Sequence, residues 1–347
     1  MKLSLQLKNM KEAYFYKKLI DGKVQCRTCA QYCLISPRER GRCGIRENIE
    51  GKLYSLVYGK AVALNIDPIE KKPFFHFLPG SASLSFGTVG CPFSCKNCQN
   101  WEISQGPKMN GEIEGEEISP EEIVRIAKER QIPSISYTYT EPTAFLEYAL
   151  DTMKLAKKEG IKNCFVSQGF MSPESIEAVI PHLDAINIDI KSFDDDFYKE
   201  NCGGRLLPVL ETAKKMKKEG VWVEITTLSI PTLSDSDKMF EDIADFIHKG
   251  LGVETPWHIS RFSGEISWKL KHLSQTSAET LKRACEIGKN KGLKYVYGGN
   301  LPGSSLENTY CFKCGAVNVE REGFSVIRHD AEGRCCNCGE NLSLVLE

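Results

Sequence analysis

The chain has 347 residues, 41% of them hydrophobic and 26% charged, with 45 Lys+Arg against 46 Asp+Glu and a formal net charge of -1. These proportions are those of a soluble globular protein with room for one large domain plus small appendages, and the balanced charge points away from a nucleic-acid partner. No apolar run reaches the roughly 20 residues needed to span a bilayer, and Lys2, Lys8, Lys11 and Glu12 leave no room for a signal-peptide core, so a cytoplasmic location is expected and a membrane partner is not.

The 15 cysteines are bunched, within residues 26–43, 91–98 and 311–338, with Cys164, Cys202 and Cys285 standing alone. Gaps of two and three residues bring thiolates to one point, which a metal needs and a disulfide does not. Residues 1–80 carry the first set. Cys26-x2-Cys29-x3-Cys33, then Cys43 in Arg40-Gly-Arg-Cys-Gly, favours zinc or a second iron–sulfur cluster, with a reduced, metal-free loop as the alternative.

Residues 81–303 alternate short apolar runs with amphipathic ones. Strands are predicted at 84–88, 134–139, 163–167, 185–190, 222–228, 257–261 and 294–297, and helices at 143–158, 208–218, 238–248 and 278–291. Ser119-Pro-Glu-Glu122 reads as a further helix start: Ser119 caps, Pro120 suits the first turn and Glu122 closes a capping box. Alternation of this kind implies an α/β fold with a parallel sheet, a complete or partial (β/α) barrel, whose reactive groups gather where strands end.

Cys91-Pro-Phe-Ser-Cys95-Lys-Asn-Cys98 follows the first of these strands and the turn residue Gly90. Spacings of three and two let one loop wrap three corners of an iron–sulfur cube and leave the fourth iron open to a ligand. A structural metal with a distant fourth ligand is the alternative. Tyr139-Thr-Glu141-Pro142, Ser167-Gln168-Gly169 and Asp189-Ile-Lys191 close the next strands. Their plain structural readings are a helix N-terminal acid, a strand-to-helix turn and a salt bridge at the barrel rim. Glu224 either faces a substrate or pairs with Lys191. His258 and Arg261 are candidate substrate contacts, against a satisfied core histidine and a surface arginine.

Residues 304–347 carry Cys311-x2-Cys314 and Cys335-x2-Cys338, each pair followed by glycine, at zinc-ribbon spacing. Zinc is favoured over a rubredoxin-like iron, and Cys336 is left over. The set would serve structure, docking or, with iron, electron entry.

The C-x3-C-x2-C loop after the first barrel strand resembles the radical S-adenosylmethionine (SAM) superfamily. That resemblance implies a 4Fe–4S cluster on Cys91, Cys95 and Cys98, chelated at its open iron by SAM, and one-electron cleavage of SAM to methionine and a 5′-deoxyadenosyl radical. It implies cofactor contacts at Glu141, Ser167, Gln168, Asp189 and Lys191, and catalytic groups at Lys191, Glu224, His258 and Arg261. Asp189-Ile-Lys191 is similar to the Asp-x-Lys of pyruvate formate-lyase activating enzymes. Glu141 alone survives of the usual Gly-Gly-Glu, and Glu224 stands where those enzymes tend to carry an arginine. Lys23-Val-Gln-Cys-Arg-Thr-Cys, Asp67-Pro-Ile-Glu-Lys-Lys-Pro-Phe-Phe-His76, Cys98-Gln-Asn-Trp101, Trp257-His-Ile-Ser-Arg-Phe262 and Glu307-Asn-Thr-Tyr-Cys311 resemble one subgroup, the AmmeMemoRadiSam system radical proteins. That resemblance covers essentially the whole chain. It implies an external flavodoxin- or ferredoxin-like reductant, a protein or peptide substrate and association with Memo-type and AMMECR-type proteins. Modification of a small molecule or an RNA nucleoside, and a non-enzymatic scaffold delivering metal or electrons, are the alternatives.

Overall fold

The computed structural model describes residues 10–347, so the reading of Lys2 and Lys8 falls outside the described residues. Eight strands form the central sheet: β1 (Ala63–Pro68), β2 (Ala82–Gly87), β3 (Ser134–Tyr137), β4 (Lys162–Ser167), β5 (Ala185–Asp189), β6 (Trp222–Ser229), β7 (Trp257–Arg261) and β8 (Val296–Gly299). Neighbours in the sheet are neighbours in the chain. β1 runs antiparallel to β2, and every later pair is parallel. β1 and β8 are the two edges, so the barrel is partial. Among the described residues no helix is long and apolar enough to cross a membrane.

Strand alternation sorts the residues onto two faces. Leu84, Phe86, Ile135, Tyr137, Phe165, Ile186, Ile188, Val223, Ile225, Trp257 and Ile259 lie in one buried core with the helices. Phe86 meets Tyr148 on the helix Leu146–Lys158, and Trp257 meets Phe240 on the helix Asp237–Gly250. The latter helix starts where Ser236 Oγ accepts the Met239 N–H at 3.2 Å, and it buries Met239, Phe240, Ile243, Ala244 and Ile247 at helical spacing. The alternate strand positions, Ser83, Ser85, Ser136, Asn187, Glu224, Thr226 and His258, make a polar inner face. Ser83 and Ser136 bond across β2 and β3 at 2.7 Å.

Two local expectations are corrected. The capping box at Ser119 is half formed: Ser119 accepts the Glu122 N–H at 3.2 Å, but the Glu122 carboxylate turns to Arg125. The last strand starts two residues later than predicted and runs into Gly298 and Gly299. Glycine weakens a strand, yet a side chain at Gly298 would come within 2.9 Å of Leu306, so close packing requires it.

The appendages are also more tightly joined to the barrel than the sequence suggests. β1 lies within residues 1–80 but belongs to the barrel sheet, and the segment after it packs across the N-terminal ends of the strands. The buried Arg46 guanidinium donates to Glu147 on the Leu146–Lys158 helix at 3.0 and 2.6 Å. From the other end, Arg321 Nη2 donates to the Phe75 carbonyl at 2.8 Å, and Val345 exchanges backbone bonds with His76 and Leu78.

Candidate active site at the strand C-terminal ends

The cysteine loop leaves β2 through Gly90, whose φ is +90° and whose N–H donates to Ile103 at 2.9 Å. Cys91 and Cys95 are buried and Cys98 is partly buried. A short segment after β5 holds the loop from outside: Ser94 N–H donates to the Cys202 carbonyl at 2.7 Å, and Lys96 N–H to the Asn201 carbonyl at 2.8 Å. The same turn brings the Cys202 thiol against Cys95. Cys202 stands alone in the sequence, and nothing in its spacing signals this approach. Gly204 closes the turn over Phe93, where a Cβ would lie 2.2 Å from the ring.

The residues predicted at the ends of β3, β4 and β5 converge on this loop. Gln168, one residue past β4, donates from Nε2 to the Cys91 sulfur at 3.3 Å. Ser104 Oγ lies 3.4 Å from the Cys98 sulfur. Such bonds to sulfur orient ligands and tune a metal. Asp189 ends β5, and Lys191 Nζ donates to it at 2.9 Å. Burial would lower the Lys191 pKa, but Asp189 and the nearby Cys95 and Cys202 sulfurs hold it well above the usual lysine value. The Asp189 side chain keeps 31% of its surface exposed, so it remains open to a ligand.

Glu141 is fully enclosed. Its carboxylate accepts from Thr143 N–H at 3.1 Å, Thr143 Oγ1 at 2.7 Å, Ser167 Oγ at 2.8 Å and Gln168 N–H at 2.8 Å. Burial raises its pKa against these donors. Glu141 therefore clamps the turn carrying Ser167 and Gln168, which sequence alone does not reveal.

Glu224 and His258 lie elsewhere. They are the third residue of β6 and the second of β7, at the N-terminal ends of their strands. Glu224 accepts backbone N–H bonds from Phe75 and His76 at 3.0 Å and from Phe77 at 3.2 Å, one from Trp222 Nε1 at 3.0 Å and one from His258 Nε2 at 2.6 Å. Burial alone would raise its pKa, but His258 and these donors hold it at about 2. Five donors thus surround a carboxylate expected at a substrate or on Lys191, and Lys191 pairs with Asp189 instead. Arg261 ends β7 on the opposite face from His258, and its Nε donates to the Thr276 carbonyl at 2.7 Å.

In the C-terminal set, the sulfurs of Cys311, Cys314, Cys335 and Cys338 all lie within 4.8 Å of one another. Two of the pairs are 3.6 and 3.5 Å apart. A tetrahedron with bonds of about 2.3 Å has edges of about 3.8 Å, so this set fits a single ion. Cys336 is exposed and turns to the Val317 carbonyl at 3.8 Å.

The donors at the upper end also fit the groups that such a site calls for. Three thiols share one loop, and Gln168 Oε1 and Thr226 Oγ1 are buried without a hydrogen-bond partner among the described residues, as a polar ligand requires. A parallel partial barrel with a three-cysteine loop and polar groups at its strand C-terminal ends defines an iron–sulfur enzyme that binds a polar cofactor. The chain belongs to the radical SAM superfamily, whose model matches residues 86–247. It is 47% identical over 340 residues to an uncharacterized protein of Methanocaldococcus jannaschii, covering 97% of this chain and 100% of that protein. It is 26% identical to the pyruvate formate-lyase-activating enzyme of Clostridium pasteurianum, over 59% of this chain and 89% of that one. Among solved structures, Streptococcus suis SuiB bound to S-adenosylmethionine matches with a TM-score of 0.49 and 15% identity, over 61% of this chain and 49% of that one. Membership implies a 4Fe–4S cluster, SAM and an external reductant.

Proposed function

We propose that Cys91, Cys95 and Cys98 hold the 4Fe–4S cluster and that the protein abstracts hydrogen from a protein or peptide substrate, as activating enzymes do. When bound, the cluster supplies the single electron that cleaves SAM. The chain's own residues prepare the place. Gln168 hydrogen-bonds the Cys91 sulfur, Glu141 fixes the turn that carries Gln168 and Ser167, and Asp189 with Lys191 offers a paired charge to the polar end of the cofactor. The buried Cys95 and Phe93, with the 198–204 turn over them, keep water from one side of the loop. The observation that carries this reading is the convergence of Gln168 from the end of β4 and of Asp189 with Lys191 from the end of β5 on the cysteine loop. Homology to activating enzymes supports a protein substrate. The sequence resemblance to the AmmeMemoRadiSam subgroup supports Memo-type and AMMECR-type partners, and the C-terminal thiol spacing supports zinc there.

The test is anaerobic reconstitution followed by reduction in the presence of SAM. Formation of 5′-deoxyadenosine is expected. With deuterated candidate protein, deuterium should pass into that product. A reduced protein with its cluster intact that yields no 5′-deoxyadenosine would overturn the reading and leave a scaffold.

A further inference from the structure

The N-terminal cysteines lie against the active-site loop. Cys26, Cys29, Cys33 and Cys43 line a single pocket, together with Arg42, Arg46 and Pro92. Pro92 directly follows Cys91, and Gln31 Nε2 donates to its carbonyl at 3.2 Å. On the other side, a Cβ on Gly90 would lie 2.8 Å from the Cys43 carbonyl, so the two loops touch where that glycine allows it. The partly buried Lys108 ammonium lies within electrostatic reach of both Cys91 and Cys43. Backbone N–H groups serve the sulfurs: Arg42 donates to Cys33 at 3.5 Å, Gln31 to Cys29 and Ile45 to Cys43. Amide bonds of this kind are what metal-bound thiolates carry.

The spacing of the thiols separates a single ion from a cube. Among the described residues, only the C-terminal four bring three or more candidate ligand atoms within 4.8 Å of one another. The N-terminal four line one pocket without any three of their sulfurs coming within 4.8 Å of one another, and the sulfurs of Cys91, Cys95 and Cys98 are likewise not gathered within that distance. A cube with its own sulfides between the irons spreads its thiolates much farther than one zinc ion does.

We propose that Cys26, Cys29, Cys33 and Cys43 hold a second 4Fe–4S cluster that passes single electrons from the external one-electron donor to the cluster at Cys91, Cys95 and Cys98. The proposal rests on the reading of that first cluster given above. Four thiolates fill all four corners, so the outer cluster has no open iron and carries electrons rather than binding SAM. The donor loses one electron, the outer cluster gains and then loses it, and the inner cluster gains it; no bond or proton is exchanged.

The full-length chain, reconstituted anaerobically with ferrous iron and sulfide, provides the test. The C91A/C95A/C98A variant should retain one cluster's worth of acid-labile sulfide and a four-iron Mössbauer spectrum. Its lack of sulfide, or zinc in place of iron at the N-terminal set, would overturn the proposal. In the C29A/C43A variant the inner cluster should keep its EPR signal, with SAM cleavage driven by flavodoxin falling about tenfold and cleavage driven by dithionite unchanged. Equal rates with both reductants would overturn the relay. C33A, at the half-buried edge of the set, is the milder variant should the double one not fold, and the sulfide count depends on neither. If the outer cluster is present but no reductant yields 5′-deoxyadenosine, the proposed function fails and the second cluster stands.

Discussion

Replacing Glu224 by Gln distinguishes a carboxylate that reacts from one that holds the barrel's lower end together. Glu224 accepts five hydrogen bonds, three of them from the backbone of residues 75–77. A Gln there turns an NH2 group towards either the three donors now facing Oε1 or the two facing Oε2, and removes the charge opposite His258. Breaking one side of a buried, hydrogen-bonded pair costs roughly 3–5 kcal/mol. The pKa gives an independent figure. A carboxylate held at about 2 against the ordinary glutamate value of 4.5 contributes roughly 3 kcal/mol, fully present above pH 4.5 and lost as pH falls from there towards 2. His76 adds to this acid sensitivity. Burial lowers its pKa from 6.5 to about 4, so the unfolded chain takes up its proton first and stability falls between those two pH values. Urea unfolding of anaerobic protein, followed by circular dichroism, reads the Glu224 substitution at pH 7 and the His76 contribution from the fall in wild-type stability between pH 7 and pH 5. E224Q should lower the midpoint at pH 7 by an amount equal to several kcal/mol while leaving the cluster EPR signal and SAM cleavage in place. A variant within about 1 kcal/mol of wild type that nevertheless loses turnover would refute this reasoning and return Glu224 to the reaction.

Four further substitutions test the site and its supports. G204A places a methyl group 2.2 Å from the Phe93 ring and should cost roughly 1–3 kcal/mol and reduce cluster occupancy, read from the absorbance of reconstituted protein. Q168L removes the donor at 3.3 Å from the Cys91 sulfur and should shift the cluster's reduction potential to more negative values in an EPR-monitored titration; an unchanged potential would show that the bond has no electronic role. C311S should release the C-terminal metal and, because Arg321 and Val345 reach Phe75 and His76, also lower the unfolding midpoint of the barrel. C336S should do neither, since its exposed sulfur faces away from the other four, and metal analysis with limited proteolysis checks both.

The sequence by itself determined the features that depend on local spacing. Three cysteines at gaps of three and two converge on one loop whatever surrounds them, and alternating apolar and amphipathic runs specify a parallel sheet wrapped by helices. The order of Glu141, Gln168, Asp189 and Lys191 along the chain matched their gathering at one end of the sheet, because successive parallel strands all point the same way. Tertiary structure decided what depends on contacts between distant residues. Glu224 and His258 have strand positions as plausible for chemistry as Asp189, but both come early in their strands, and the 75–77 segment surrounds Glu224 with donors that no local pattern announces. Cys202 meets Cys95 only because the turn after β5 folds back over the cysteine loop. β1 joins the barrel as an antiparallel edge because a strand's partner is chosen by pairing rather than by its own sequence. Arg321, from the C-terminal segment, reaches the carbonyl of Phe75 across a separation of 246 residues. Burial turns such a contact into an obligation, since a charged or polar group taken out of water needs a partner wherever in the chain that partner lies.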